Sequence, residues 1–320
     1  MSPEPVFRHR LEYAVVAAVA LVIRVLPWGA VRLAGGFLGT LFYLFDRQHR
    51  RVATDNLARA FPTRTASEIR ALAHGVFRHF GGMLFELLKF STLRHDRMLE
   101  RVEFEGTDRV REAYAGRRGV FFLTGHFGCW EINGIVHALH VEPIGVMARR
   151  LDNPYLNALL ERVRQCTGNW VIYRKGGLRR MLRALEAGRG IAILIDQHMH
   201  GPEAVPVDFF NRPAATTTVL GSLALRTGAP VIPVFTVPLA GGRYRVIYEH
   251  AVEPPSEASP EALRAFTQRC TDVLEMYVRR YPTQWLWMHR RWRDRPADDV
   301  VKGMFPQARS EGDIEGRVPE

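Results

Sequence analysis

The chain has 320 residues, 47% hydrophobic and 24% charged, enough for a full buried core and incompatible with global disorder. Lys and Arg total 44 against 33 Asp and Glu, a net charge of +11 that suits an anionic partner: a nucleic acid, an acidic bilayer or a phosphorylated substrate. The 3 cysteines, Cys129, Cys166 and Cys270, are too few and too scattered for a disulfide framework or a cysteine zinc site, and fit a reduced compartment.

In chain order, residues 1–46 are the compositional outlier. Residues 13–23 are an uncharged run closed by Arg24, and residues 33–45 are another opened by Arg32. Each is shorter than the ~20 apolar residues that span a bilayer upright. With Pro27-Trp28-Gly29 between them, they read as two short apolar helices meeting at a turn and lying in or dipping into a membrane. The basic cluster Arg47, His49, Arg50 and Arg51 then suits anionic head groups. Two other readings stand beside this one: a secretory signal peptide led by Arg8, His9 and Arg10, and a pair of helices buried in a soluble core.

Residues 47–90 carry a helical pattern. Thr65-Ala66-Ser67-Glu68 is a capping box, and Ile69, Leu72, Val76, Phe80, Met83 and Leu87 recur at three- and four-residue steps. Beyond Arg118, short apolar runs rich in β-branched and aromatic residues alternate with helical segments. The pattern predicts strands at 119–124, 143–147, 169–173, 190–195, 229–235 and 243–248. Helices are expected at 130–139, 153–166, 178–187 and 214–227, and a last one from Ser259-Pro260-Glu261. The fold class expected is therefore α/β, a mixed central sheet flanked by helices. An N-terminal membrane-associating helical segment at 1–46 precedes one catalytic domain at 47–296 and a polar tail at 297–320.

The stretch Thr124-Gly125-His126-Phe127-Gly128-Cys129-Trp130-Glu131 runs from a buried strand through a glycine-flanked turn into a helix, a place where open α/β sheets bind ligands. In a continuous helix, His126 and Glu131 would stand ~140° apart and ~7.5 Å along the axis, so they meet only if His126 lies in the turn. Gly125 and Gly128 permit that turn. A histidine held there can take the proton of a lipid hydroxyl as it attacks a thioester, the carboxylate fixing the tautomer and stabilising the imidazolium. Backbone N–H groups at the helix start are candidates to face the oxyanion. The same pattern also describes a hydrogen-bonded turn histidine without chemistry.

Asp196 closes an apolar strand and is a candidate to orient the acceptor or to cap the next loop. With His198 and His200 it offers metal-ligand residue types, but Gly201-Pro202 marks a loop and His-x-His is nonspecific, so no metal is expected. Phe209 and Phe210, in the segment 207–218, are candidates to line an acyl groove, the alternative being ordinary core packing. No Gly-x-Ser-x-Gly elbow supports a serine hydrolase, and no nucleic-acid motif supports a nucleic-acid partner. Hydrolysis by a His126-activated water and a non-catalytic basic membrane-binding protein are the competing classes.

The His-x4-Glu block resembles the motif of glycerolipid-type acyltransferases. From about Phe7 to Arg293 the chain is similar to the lipid A biosynthesis acyltransferase family, of lauroyl and myristoyl type. The resemblance rests on Asn56-Leu57 before Phe61-Pro62, Phe80-Gly81 with Glu86, Arg149-Arg150 before Asp152-Asn153-Pro154, and Asp196-Gln197. It continues through Asp208-Phe209-Phe210 with Pro213, Pro233, and Gln284-Trp285-Leu286-Trp287-Met288-His289-Arg290-Arg291-Trp292. It implies a lysophospholipid-acyltransferase-like fold, no metal or organic cofactor, acyl-acyl carrier protein (or acyl-CoA) as donor, and work on the cytoplasmic face of the inner membrane. It also implies a phosphorylated lipid acceptor, His126 and Glu131 as catalytic dyad, and Arg149 as a phosphate contact. Relatives with other polar-lipid acceptors leave the acceptor open.

Overall fold

The computed structural model describes residues 6–173, 176–255 and 257–292; the tail expected at 297–320 lies outside them. Two apolar helices come first, α1 (Phe7–Val25) and α2 (Trp28–Phe45), broken at Leu26-Pro27. Asp46 then caps α3 (Arg47–Ala60), and Thr65 opens α4 (Ala66–Phe90) with both arms of the expected capping box in place. The α/β part follows: α5 (His95–Leu99), β1 (Val102–Glu105), α6 (Thr107–Ala115), β2 (Val120–Thr124), α7 (Trp130–His140), β3 (Gly145–Ala148), α8 (Pro154–Gln165), β4 (Trp170–Tyr173), α9 (Gly177–Glu186) and β5 (Gly190–Leu194). A hairpin of β6 (Ala204–Asp208) and β7 (Pro213–Thr217) precedes α10 (Val219–Thr227), β8 (Val231–Pro238), β9 (Tyr244–Tyr248) and α11 (Pro260–Arg280).

Seven strands form one sheet in the order β1-β9-β8-β2-β5-β3-β4, parallel throughout except for the β8–β9 pair. β2 is central and buried at every residue, which is why its run Val-Phe-Phe-Leu-Thr is continuous and not alternating. Its side chains divide the core. Val120 and Phe122 face α4 and α7, through Leu87, Phe90, Ile132 and Ile135. Phe121 and Leu123 face α9, α10 and α11, through Met181, Leu185, Leu220 and Phe266.

Helices α1 and α2 pack outside α4, on the face of the sheet away from α9 and α10. α2 and α4 touch backbone to backbone: a Cβ on Gly35 would stand 2.6 Å from Gly81 O, and one on Gly39 2.1 Å from Phe77 O. Lys89 of α4 donates to the carbonyls of Ile23, Arg24 and Leu26, capping the C-terminus of α1. α2 is the one described helix long and apolar enough to cross a membrane, and it turns Leu33, Phe37 and Phe45 outward.

Two sequence expectations change. Residues 214–217 are strand, not the start of a helix, because they pair antiparallel with β6 across a two-residue turn. In that turn Phe210 and Asn211 both have left-handed φ, 56° and 55°. β1 was not expected at all: four residues at a sheet edge carry too little pattern to read.

Candidate active site

β2 and β5 are parallel neighbours in the register Thr124↔Leu194. His126 and Asp196 each lie two residues beyond that pair, so the sheet delivers both to one edge, with paired chains ~4.8 Å apart. His126 Nδ1 sits 2.8 Å from Asp196 Oδ1, and the His126 backbone N–H donates to Asp196 Oδ2 at 2.6 Å. Trp285 Nε1 also donates to Oδ2, at 2.8 Å, and His289 Nε2 lies 3.1 Å from the Asp196 carbonyl. An ionised carboxylate accepts only, so Nδ1 carries the proton and Nε2 is left as the basic nitrogen.

The turn that holds His126 is clamped on both sides. Gly128 N donates to Gln284 O, Cys129 N to Thr236 O, and Leu286 N to His126 O. Gly128 has φ +57°, and a Cβ there would lie 1.9 Å from Thr236 O, so both conformation and space demand glycine. A Cβ on Gly125 would stand 3.0 Å from Asp196 Oδ2; its absence lets the carboxylate come in under the turn.

Burial opposes a charge on His126, but the Asp196 carboxylate on Nδ1, reinforced by the nearby charge of Glu131, outweighs it and raises the imidazole above its ordinary pKa. Burial likewise opposes a charge on Asp196, whose carboxyl is nevertheless held far below the usual carboxylate range by the charge and hydrogen bonds of His126.

Glu131 was expected to hold His126; its hydrogen bonds go elsewhere. Arg164 of α8 grips it with a fork, Nε donating to Oε2 at 2.8 Å and Nη2 to Oε1. The cause is geometric: Asp196 already occupies Nδ1, while Glu131, on the first turn of α7, faces α8. Its influence on His126 is through charge.

His126, Glu131, Arg149 and Arg164 line one cavity of about 910 Å³ at the carboxyl ends of the strands. It passes between β3 and β5, which pair only at Gly145↔Ile191 and Val146↔Ala192 before separating. Met147 and Ala148 on one strand and Ile193 and Leu194 on the other form its walls. Apolar side chains from both faces of the sheet, among them Phe122, Ile135, Met181 and Leu220, extend it inward. Exposed Arg149, just past β3, stands at its polar end.

Other expected site residues fall outside the cavity. The Asp196 side chain is 0% exposed, and its oxygens are engaged by His126 and Trp285. Phe209 and Phe210 are also buried, packed against Trp285, Trp287 and Trp292 in a separate core, because the hairpin turn drives them inward. Thr217 and Thr218 of the same segment do reach the cavity. Just ahead of α7, the N–H groups of Gly128 and Cys129 donate to the carbonyls of Gln284 and Thr236. Cys129 is fully buried, and burial pushes its thiol well above the ordinary value.

Arg164 escaped the sequence reading, since an arginine within an amphipathic helix carries no local signal. Trp285 stood only as part of a motif. The register of β2 and β5, which places Asp196, gives Trp285 its meaning, and the packing of α8 on α7 gives Arg164 its own.

The family profile described as bacterial lipid A biosynthesis acyltransferase matches residues 3–294. The lipid A biosynthesis lauroyltransferase of Escherichia coli is 29% identical over 90% of this chain and 93% of its own. The myristoyltransferase of the same organism is 25% identical over 85% and 84%, and the palmitoleoyltransferase 26% over 86% and 88%. The crystal structure of a 1-acyl-sn-glycerophosphate acyltransferase from Thermotoga maritima aligns with 77% of this chain and 97% of its own, at TM-score 0.36 and 17% identity.

Proposed function

The chain belongs to the bacterial lipid A biosynthesis acyltransferase family, and from that premise we propose that it moves a fatty acyl group from an acyl carrier protein thioester to a hydroxyl of a lipid A precursor at the cytoplasmic face of the inner membrane. The observation that carries the chemistry is the His126–Asp196 pair at the wall of a cavity large enough for an acyl chain.

His126 Nε2 takes the proton of the acceptor hydroxyl as its oxygen attacks the thioester carbonyl. Asp196 holds the ring and stabilises the imidazolium. Collapse of the tetrahedral adduct breaks the C–S bond, and His126 returns the proton to the departing thiolate. Glu131, held in place by Arg164, adds negative charge beside the imidazolium, and Arg149 meets a phosphate of the acceptor or donor. Transfer is direct: the one thiol in the motif, Cys129, is buried away from the cavity with its pKa raised. The exposed apolar side of α1 and α2 supports the membrane location, as does the tie between α1 and the loop after Arg149, where Asn153 donates to His9 O and Glu12.

Purified enzyme is incubated with an acyl carrier protein thioester and a lipid A precursor, and the lipid is weighed by mass spectrometry. One added acyl group, absent with His126→Ala, is the expected result. A hydrolysed thioester with unmodified lipid would replace transfer by hydrolysis.

A further inference from the structure

One face of α9 has no partner in the fold. Met181 and Leu185 bury the helix against Ile172, Ile191 and Ile193, while Arg179, Arg180 and Arg183 point outward. No carboxylate among the described residues pairs with any of the three, whereas Arg97, Arg243 and Arg279, exposed elsewhere in the chain, each pair with one. Beside them Leu178 is 51% exposed, and it belongs at once to the surface and to the wall of the catalytic cavity. Arg226 of α10, also exposed, adds a fourth positive charge at the same rim.

We propose that this arginine face of α9, with Leu178 at its centre, is the docking surface for the acidic protein that carries the acyl thioester. This rests on the functional reading above and names the donor's point of entry. Three observations favour a protein over the other polyanions in reach. A convex, exposed helix face lacks the enclosing walls that a nucleotide-sized ligand requires. A bilayer is disfavoured by position, since α1 and α2 offer their apolar side on the opposite face of the sheet and a flat surface cannot cover both. The patch also borders the cavity from the α9 side, so a thioester on a flexible arm reaches His126 while the acceptor enters from the α1 and Arg149 side. Unpaired surface charges around an apolar anchor speed encounter and fix orientation, the behaviour wanted of a carrier that must leave after each turnover.

The test uses the full-length enzyme in neutral detergent with R179E/R180E/R183E, a triple variant outside the cavity wall. Against the acyl carrier protein thioester, KM should rise at least about ten-fold with kcat at saturation held within about two-fold. R179K/R180K/R183K should keep the wild-type KM, and pelleting of the charge-reversed protein with anionic vesicles should be unchanged. An unchanged KM in the charge-reversed variant overturns the docking surface alone. Loss of vesicle binding with an unchanged KM reassigns the patch to the membrane. A wild-type enzyme that turns over only a CoA thioester removes the carrier from the functional proposal as well.

Discussion

His126 and Asp196 stand at equivalent positions past the ends of two adjacent parallel strands, and the 2.8 Å contact between Nδ1 and Oδ1 follows from that register. Asp196→Asn therefore tests the proposed chemistry with little change of shape. The amide removes the charge that raises the His126 pKa, and kcat should fall on the order of 10²- to 10⁴-fold. Because the base must be neutral, activity in the wild type rises with pH through a pKa above the ordinary histidine value, and in the variant that limb should move down. A limb that stays in place in the pH profile of kcat/KM would separate Asp196 from the base.

Glu131→Gln should cost less than His126→Ala, since Glu131 acts on His126 only through charge. Its larger effect is on the fold. Arg164 and Glu131 are both largely buried, and removing one leaves the other without compensation, a loss of about 3–5 kcal/mol. Glu131→Gln with Arg164→Gln should recover part of that stability but not the activity, as read by denaturant unfolding and initial rates on the same preparations.

The anchoring role proposed for α2 is better tested by substitution than by deletion, because α2 and the end of α1 are built into the fold through Gly35, Gly39 and Lys89. L33D/F37D/F45D alters side chains that are 72%, 64% and 79% exposed. It should shift the protein from the membrane to the soluble fraction while leaving detergent-assayed turnover near wild type. Retention on bilayers in high salt would place the anchor elsewhere.

Lys89→Met keeps the length of the side chain and removes the three hydrogen bonds that close α1. Stability should drop by about 1.5–3 kcal/mol, the worth of charged hydrogen bonds to buried carbonyls. Hydrogen exchange should rise first in residues 20–26.

Acid should loosen the fold before its carboxylates titrate. Burial lowers the pKa of His79 to about 4 and of His137 to about 3, and it also lowers that of His289. His79 and His137 stay neutral in the folded protein while the unfolded chain takes up protons below pH ~6.5, so their contribution is intact above that pH and declines as pH falls; the lowered pKa of His289 acts in the same direction. His126 acts in the opposite sense: with its raised pKa, its contribution is fully present below the unfolded pKa and lost as pH rises through the folded one, so once complete it cannot offset the further loss at lower pH. The slope is about 1.4 kcal/mol per pH unit for each neutral histidine. Melting temperatures that hold steady from pH 7 to pH 5 would contradict it.

The strands that build the site were legible where burial on both faces leaves unbroken apolar runs, as in Val120–Thr124 and Gly190–Leu194. The β6–β7 hairpin was not, because its turn seats Phe210 at positive φ, a conformation rarely adopted by bulky residues. That turn is held by packing on Phe61 and Trp287 and by a hydrogen bond to Glu275. His126 could be read from the strand-turn-helix pattern around it. Asp196 was visible as a strand-end acid, but its bond to His126 depends on a pairing of β2 with β5 that no local pattern contains. Glu131 was assigned to the nearest histidine in sequence, when an arginine 33 residues away has the better geometry.

The glycines at the α2–α4 contact have a consequence for orientation. Gly35 and Gly39 form the kind of small-residue face by which apolar helices recruit one another in lipid, and here α4 has already filled it. That face of α2 is closed to a second copy, and the close contact ties α2 to α4. The helix is a rigid keel. Any bilayer that receives Leu33, Phe37 and Phe45 fixes the tilt of the whole sheet, and with it the height of His126 above the lipid head groups.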